Sequence, residues 1–224
     1  MPIQSLTYQQ FKIDFKRRWE TGQHIGLVGP TGSGKTHVAR DILEMRRYFV
    51  AVVTKSRDDT ISKYWKAMHF VERDSWPPEH YQNRIVLWKR PKRLGDFREQ
   101  QTLIYGVMND IYLHGGWTIY FDDLYYVYDT LGLKSAVRMF YTQVRSQKAS
   151  IVASMQRPAW NPVEAVSQAT FILLFRIHDR KDLDRVAEGM GIDRVALRSF
   201  NEQLKEFEFL LLQMGKEPIK VEKA

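Results

Sequence analysis

Gly29-Pro30-Thr31-Gly32-Ser33-Gly34-Lys35-Thr36 follows the short, mostly apolar run His24 to Val28 and opens a helix-forming stretch that ends near Met45. The spacing is G-x-x-x-x-G-K-[ST]. Glycines at these places let the backbone turn tightly, so that consecutive N–H groups converge as a nest for phosphate oxygens. The helix that follows contributes the positive end of its dipole. The Lys35 ammonium can reach β and γ phosphates, and the Thr36 hydroxyl is a hard oxygen donor placed for Mg²⁺. A strand, a loop that cradles nucleotide with Gly29, Pro30, Thr31, Gly32, Ser33, Gly34, Lys35 and Thr36, and a helix are therefore expected in that order.

Downstream, Thr118-Ile119-Tyr120-Phe121 reads as an apolar strand that delivers Asp122 and Asp123 at its C-terminal end. Strand C-termini of an open parallel sheet face the ligand crevice. There Asp122 would hold the magnesium through water, and Asp123 would orient or deprotonate the attacking water. Ser150 to Met155 is a further strand and presents Gln156, followed by Arg157-Pro158. A neutral amide at that point can touch the γ-phosphate without cancelling the carboxylates. Two more apparent strands, Tyr48 to Thr54 and Arg84 to Trp88, separate the phosphate loop from the Asp-Asp strand. That order leaves room for a strand inserted between them, the arrangement of P-loop ATPases with an additional catalytic acid.

The rest of the chain alternates strand and helix patterns. Phe11, Phe15 and Trp19 lie four apart in a helix expected over 8–20, the core of an N-terminal extension covering 1–22. Helices are also expected over 61–68, 94–114, 133–147, 179–190 and 192–204, with a short turn of helix near 163–169. Residues 170–176 read as the last core strand and 206–213 as an edge strand. Trp76-Pro77-Pro78 precludes regular structure around it. The fold class is α/β, a P-loop NTPase with a mainly parallel central sheet flanked by helices. Residues 23–213 are expected to form one domain, and 214–224 a charged, disordered tail.

Composition narrows the chemistry. The 224 residues are 44% hydrophobic, enough for a sizeable core, and contain no cysteine, which excludes disulfides, thiolate zinc sites and cysteine nucleophiles. Lys and Arg exceed Asp and Glu by 34 to 26, a net charge of +8 that favours a polyanionic partner. The start of the chain has no basic segment leading into an apolar one, and no run approaches the ~20 apolar residues of a membrane span. A cytoplasmic protein is expected.

Taken together, GPTGSGKT, IYFDD and VASMQRP resemble the FtsK–HerA superfamily of DNA-pumping ATPases. The stretch 170–190, a strand running into FRIHDRKDLDRVAEGM, is similar to the end of that family's core. The resemblance covers residues 23–190, and the compact core with Phe-Asp-Asp looks most like the genome-packaging ATPases of icosahedral membrane-containing viruses. It implies ATP and Mg²⁺ as cofactors, with Lys35 and Thr36 on phosphate and metal, Asp122 on metal, Asp123 on water and Gln156 sensing hydrolysis. It also implies a homo-oligomeric ring of five or six subunits around double-stranded DNA, docked on capsid vertex proteins, in host cytoplasm or associated with the virion. A neighbouring subunit would supply an arginine finger. Arg145, just before the Gln156 strand, is the first choice by position, Arg138 the second, and Arg176 a further one. Lysine reproduces the delocalised guanidinium fork poorly.

Contacts to DNA are less specifically written. Basic clusters occur at 12–18, 46–47, 89–93 and 180–185, and Lys89-Arg90-Pro91-Lys92-Arg93 directly after a strand suits a DNA-facing loop. Trp65, Trp76 and Trp160 fall in irregular regions where an indole could stack on bases. Two other readings compete: a nucleoside or small-molecule kinase with 180–185 as a basic lid, and a phage morphogenesis ATPase. The QRP sequence and the paired aspartates weigh against the kinase.

Overall fold

A computed structural model of the chain describes residues 3–79 and 82–223. Met1, Pro2, Ala224 and two residues of the irregular stretch near Trp76 lie outside the described residues. Strands β1 (Gln4–Leu6), β2 (His24–Val28), β3 (Phe49–Val52), β4 (Val71–Arg73), β5 (Arg84–Leu87), β6 (Thr118–Phe121), β7 (Ser150–Met155), β8 (Ala169–Phe175), β9 (Phe209–Gln213) and β10 (Ile219–Val221) form one sheet. Its order is β1-β10-β9-β8-β2-β7-β6-β3-β5-β4. From β8 to β4 every neighbouring pair is parallel, while β9 is antiparallel to both β8 and β10.

The inserted strand is β7. It lies between β2, which feeds the phosphate loop, and β6, which ends in Asp122. The two strands that intervene in sequence, β3 and β5, lie on the far side of β6.

Helices cover both faces. On one pack α1 (Tyr8–Arg18), α2 (Lys35–Glu44) and α3 (Asp59–Tyr64); on the other, α4 (Arg98–His114), α5 (Lys134–Gln143), α6 (Glu164–Ser167), α7 (Arg180–Met190) and α8 (Arg194–Glu202). With both faces covered, β2, β3, β6 and β7 are buried along their whole length and read as continuous apolar runs rather than alternating ones. α1 starts at a reciprocal cap between Thr7 and Gln10, and its i, i+4 aromatic row Phe11, Phe15 and Trp19 is fully buried.

Several sequence expectations are corrected. The C-terminal tail is not disordered: β10 pairs with β9 and with β1, and Val221 is buried. Consequently β9 is not an edge strand but an interior one. Residues 1–22 are not only helical, since β1 forms the sheet's outer strand. The helix expected over 94–114 starts at Arg98, and the one over 133–147 ends in a tighter turn at Val144–Gln147. β4, a three-residue strand without a sequence signal, forms the opposite edge.

Candidate nucleotide site

The loop from Gly29 to Thr36 joins β2 to α2 at the C-terminal edge of the parallel strands. Two glycines are obligatory for different reasons. At Gly29 a Cβ would lie 2.7 Å from the Phe175 Cβ and 2.8 Å from the Ser33 Oγ. At Gly34, the residue before α2, φ is +99°, which a side chain would disfavour. The Lys35 ammonium folds back into the loop and donates to the carbonyl oxygens of Gly29 and Pro30, at 2.7 Å each. Burial, reinforced by the nearby Lys55, lowers its pKa to about 8, while Asp123 pulls the other way.

The loop opens on a cleft of about 530 Å³ lined on this side by Gly32, Gly34, Lys35 and Thr36 and on the other by Asp122, Gln156 and Lys55. Asp122 is 8% exposed. One of its oxygens accepts from the Thr54 backbone N–H at 3.1 Å and from the Thr54 hydroxyl at 2.9 Å. The other is buried and has no hydrogen-bond partner among the described residues. Burial pushes its pKa up to about 7, against the pull of Lys55 and of the Thr54 hydrogen bonds. Lys55 in turn is penalised by burial, but the carboxylates of Asp122 and Asp58 outweigh this and hold its pKa above the ordinary value.

Thr54 is held by a further contact. Gln100, buried in the first turn of α4, donates to the Thr54 and Lys89 carbonyls and accepts from the Tyr126 hydroxyl at 2.8 Å. Neither Thr54 nor Gln100 stood out in the sequence. Thr54 carried one usable signal, a hydroxyl just beyond an apolar strand on the crevice edge, whereas glutamine on a helix carries none.

Asp123 is half-buried, and its Oδ1 accepts from the Tyr126 N–H at 3.2 Å, starting a wide helical turn over Tyr126–Thr130. Its charge is felt by both Lys35 and Lys55. Gln156 is exposed at the end of β7, where its Oε1 accepts from the Thr31 hydroxyl at 3.1 Å, tying that strand to the phosphate loop. Loop, Thr36, Asp122 and Gln156 thus meet in one cleft, with Asp123 at its flank.

A hydroxyl from Thr36 and an unpartnered carboxylate oxygen from Asp122 in one cleft suit a magnesium ion that keeps most of its waters. This metal is usually held by one or two protein oxygens together with phosphates, not by a protein cage. Among the described residues there is no cluster of three or more His, Asp or Glu side chains that could hold a metal.

The arginines are spread out. The Arg145 carbonyl packs against Gly22, beside the start of β2, at the edge of the sheet opposite the phosphate loop. α5 descends from the crevice edge toward that opposite edge, so Arg138 stands nearer the phosphate side; its Nε lies 3.6 Å from Glu164. Arg176 follows β8 and borders the outer flank of the loop, with one N–H donated to the Leu204 carbonyl. All three are exposed. Arg157 of the QRP sequence serves another purpose: its guanidinium spans Asp179, at 2.7 Å, and the buried Asp182, and covers the ring of Trp160.

The other sequence candidates are redistributed. The kinase-type lid is not supported, since Arg180–Met190 is a packed helix that buries Leu183, Val186, Ala187 and Met190. Trp65 is wholly buried and Trp76 donates to Asp110 at 2.9 Å, so of the three tryptophans only Trp160 is exposed. In the basic run after β5, Lys89 pairs with Asp74 and Glu99, Arg90 with Glu72, and Lys92 with Glu99. No helix among the described residues is long and apolar enough to cross a membrane.

No family model matches the chain. Over 181 residues it is 26% identical to the DNA packaging ATPase P9 of Enterobacteria phage PRD1, covering 76% of this chain and 71% of that protein. Its fold is similar to that of the genome packaging NTPase B204 from Sulfolobus turreted icosahedral virus 2 in complex with AMPPCP. There the TM-score is 0.67 at 17% identity, over 90% of this chain and 98% of the other. VirB4 of Thermoanaerobacter pseudethanolicus shares the fold with a TM-score of 0.62 at 11% identity, over 90% of each chain.

Proposed function

We propose that this chain, a P-loop ATPase of the FtsK–HerA type related to viral genome-packaging ATPases, spends ATP hydrolysis on moving double-stranded DNA, and that the DNA is a viral genome entering a procapsid. The observation that carries the ATPase half of this reading is the buried, unpartnered oxygen of Asp122 in the same cleft as Lys35 and Thr36. A carboxylate oxygen kept without a donor at an anion-binding loop fits a cation that accompanies the anion. The basic surplus and the packaging relative support the DNA half.

In this reading the N–H groups from Gly32 to Thr36 hold the phosphates. Lys35 turns from the Gly29 and Pro30 carbonyls to the β and γ phosphates. Thr36 and Asp122 hold Mg²⁺, which when bound neutralises charge on the phosphate oxygens. A water oxygen attacks the γ-phosphorus in line, the bond to the β–γ bridging oxygen breaks, and Asp123 takes the water's proton. Gln156, already linked to Thr31, reports the loss of the γ-phosphate to β7. In a ring of five or six copies, an arginine from the neighbour (Arg145, Arg138 or Arg176) would complete the charge stabilisation. Capsid vertex proteins are the docking partner in this scheme, in the host cytoplasm and at the virion.

The test compares steady-state ATPase rates with and without long duplex DNA while molecular size is followed in the presence of nucleotide. Stimulation by DNA together with a ring-sized species is the expected result. DNA indifference of a monomer that hydrolyses at full rate overturns the motor, and phosphoryl transfer to a nucleoside would establish the kinase.

A further inference from the structure

The helix α8 is joined to β9 by a tight turn at residues 205–208, in which the Glu208 N–H donates to the Lys205 carbonyl. At its third position Phe207 adopts φ +64°. Such a turn favours glycine or asparagine there, and a bulky side chain pays for the left-handed backbone. The turn is held regardless. The Glu208 carboxylate accepts from the Lys205 N–H at 2.8 Å and pairs with Lys220 of β10 at 3.2 Å. A strained residue kept in place by surrounding contacts points to a use for its side chain.

The ring lies at the phosphate loop. A Cβ on Gly34 would be 3.5 Å from the Phe207 Cδ1. Among the described residues lining the nucleotide cleft, Phe207 is the only Phe, Tyr or Trp. His37, in the first turn of α2 beyond the phosphate-binding N–H groups, lines the cleft too. So does Lys223, whose Nζ is 5.8 Å from the Phe207 ring centroid. Phosphates seated on the loop leave the rest of a nucleotide to pass beyond Thr36, where a half-buried aromatic face and a cation stand together. Flat aromatic faces bind nucleobases through stacking, and the cation suits the polar edge of a base or the ribose oxygens.

We infer that Phe207 is the platform on which the nucleobase stacks, held by its left-handed turn and bordered by Lys223, so that the turn before β9 and the residue Lys223 just after β10 form one wall of the nucleotide site. This rests on the reading of the loop as a nucleotide site and adds the part that distinguishes a nucleotide from a bare polyphosphate.

Calorimetric titration with ATP and with inorganic tripolyphosphate, each with magnesium, on the full-length wild-type, Phe207→Ala and Phe207→Gly proteins separates the possibilities. The wild type is expected to bind both, ATP more tightly. Both variants should weaken ATP by roughly 10-fold or more and change tripolyphosphate by less than about 2-fold. The Gly variant should melt above the Ala variant, since glycine accepts the positive φ, while losing the same affinity for ATP; misfolding is thereby excluded as the cause. ATP affinity unchanged in both variants overturns the inference. So does equal weakening of ATP and tripolyphosphate, which would assign Phe207 to supporting Gly34. If the wild type binds neither ligand, the loop is not a nucleotide site and the premise itself fails.

Discussion

Thr54 donates two hydrogen bonds to a single oxygen of Asp122, from its backbone N–H and from its hydroxyl, while the second oxygen is buried without a hydrogen-bond partner among the described residues. The parallel register makes this possible. Val52 is paired with Phe121, so the residues just past each strand end lie side by side. A carboxylate fixed this way is held in one rotamer, and the two donors offset part of the burial that raises its pKa.

Thr54→Val removes the hydroxyl and leaves the backbone donor. Support groups of this kind typically contribute 10- to 100-fold to metal affinity or activity. The expected result is ATP binding within a few-fold of wild type, kcat reduced about 10-fold, and a higher magnesium requirement, with Thr54→Ser restoring all three. Steady-state hydrolysis across a magnesium titration checks it, and a Val variant with wild-type kcat would remove the positioning role.

Lys35 and Asp123 should separate binding from turnover. Lys35→Ala deletes the cation inside the loop and is expected to abolish measurable ATP binding. Asp123→Asn keeps an oxygen to accept from the Tyr126 N–H, so the local turn survives, while the carboxylate proposed as proton acceptor is lost. Binding of ATP close to wild type with turnover reduced at least 100-fold is expected. Ordinary turnover in the Asn variant would end the assignment of Asp123 as base.

Arg157 bridges two carboxylates, one of them almost completely buried. Arg157→Ala strands Asp182, whose other oxygen accepts the Ala159 N–H at 3.0 Å. Stranding a buried carboxylate costs about 3 kcal/mol when its partner is also buried, and the partly exposed arginine reduces this to about 2 kcal/mol. Arg157→Lys should recover little, because an ammonium cannot span both acids. Urea unfolding provides the measurement; a Lys variant as stable as wild type contradicts the fork.

His24 opens β2 at 1% exposure, with its Nδ1 accepting from the Ile151 N–H at 3.1 Å. Burial, aided by the charge of Arg145, depresses its pKa to about 4. The unfolded chain takes up a proton near pH 6.5, and the folded one does so only near pH 4. Stability contributed by the neutral ring is therefore complete above about pH 6.5 and lost as pH falls, by roughly 1.4 kcal/mol per pH unit over that window. His24→Gln should flatten this slope. Denaturant midpoints at pH 7, 6 and 5 that fall equally in both proteins would show that another group is responsible.

The shared placement of the candidate site residues was legible because the phosphate loop, the Asp122-Asp123 pair and Gln156 each follow a strongly apolar strand, and strand ends of a parallel sheet share one edge. What escaped was whatever depended on pairing across long sequence distances. Ile219-Lys220-Val221 has no local pattern that distinguishes it from a charged tail, and Gln4-Ser5-Leu6 has none at all. Each is a strand only because the other and β9 are there. The run Phe209 to Leu212 did carry a clue, since four successive buried apolar residues suit a strand covered on both faces and not an edge. Phe207 was invisible for a different reason: a positive φ at a phenylalanine is imposed by the turn around it.

That long-range pairing yields the final prediction. Among the described residues β1 pairs in the sheet with β10 alone, and Val221 on β10 is completely buried against the core that contains Phe209 and Phe11. Val221→Asp places an unpaired carboxylate there and should lower stability by about 3 kcal/mol or more. Deleting residues 214–224 should cost at least as much, since β1 then loses its strand partner and β9 becomes an exposed edge. A disordered tail would behave otherwise, its removal leaving the midpoint of thermal unfolding where it was. Hydrogen exchange gives the sharper readout. The Val221 and Glu222 amides, the latter donating to the Leu6 carbonyl at 2.9 Å, should be protected in the full chain. After the deletion, protection in residues 209–213 should fall while that in β2 and β7 persists, because those two strands are paired on both sides by strands the deletion does not touch.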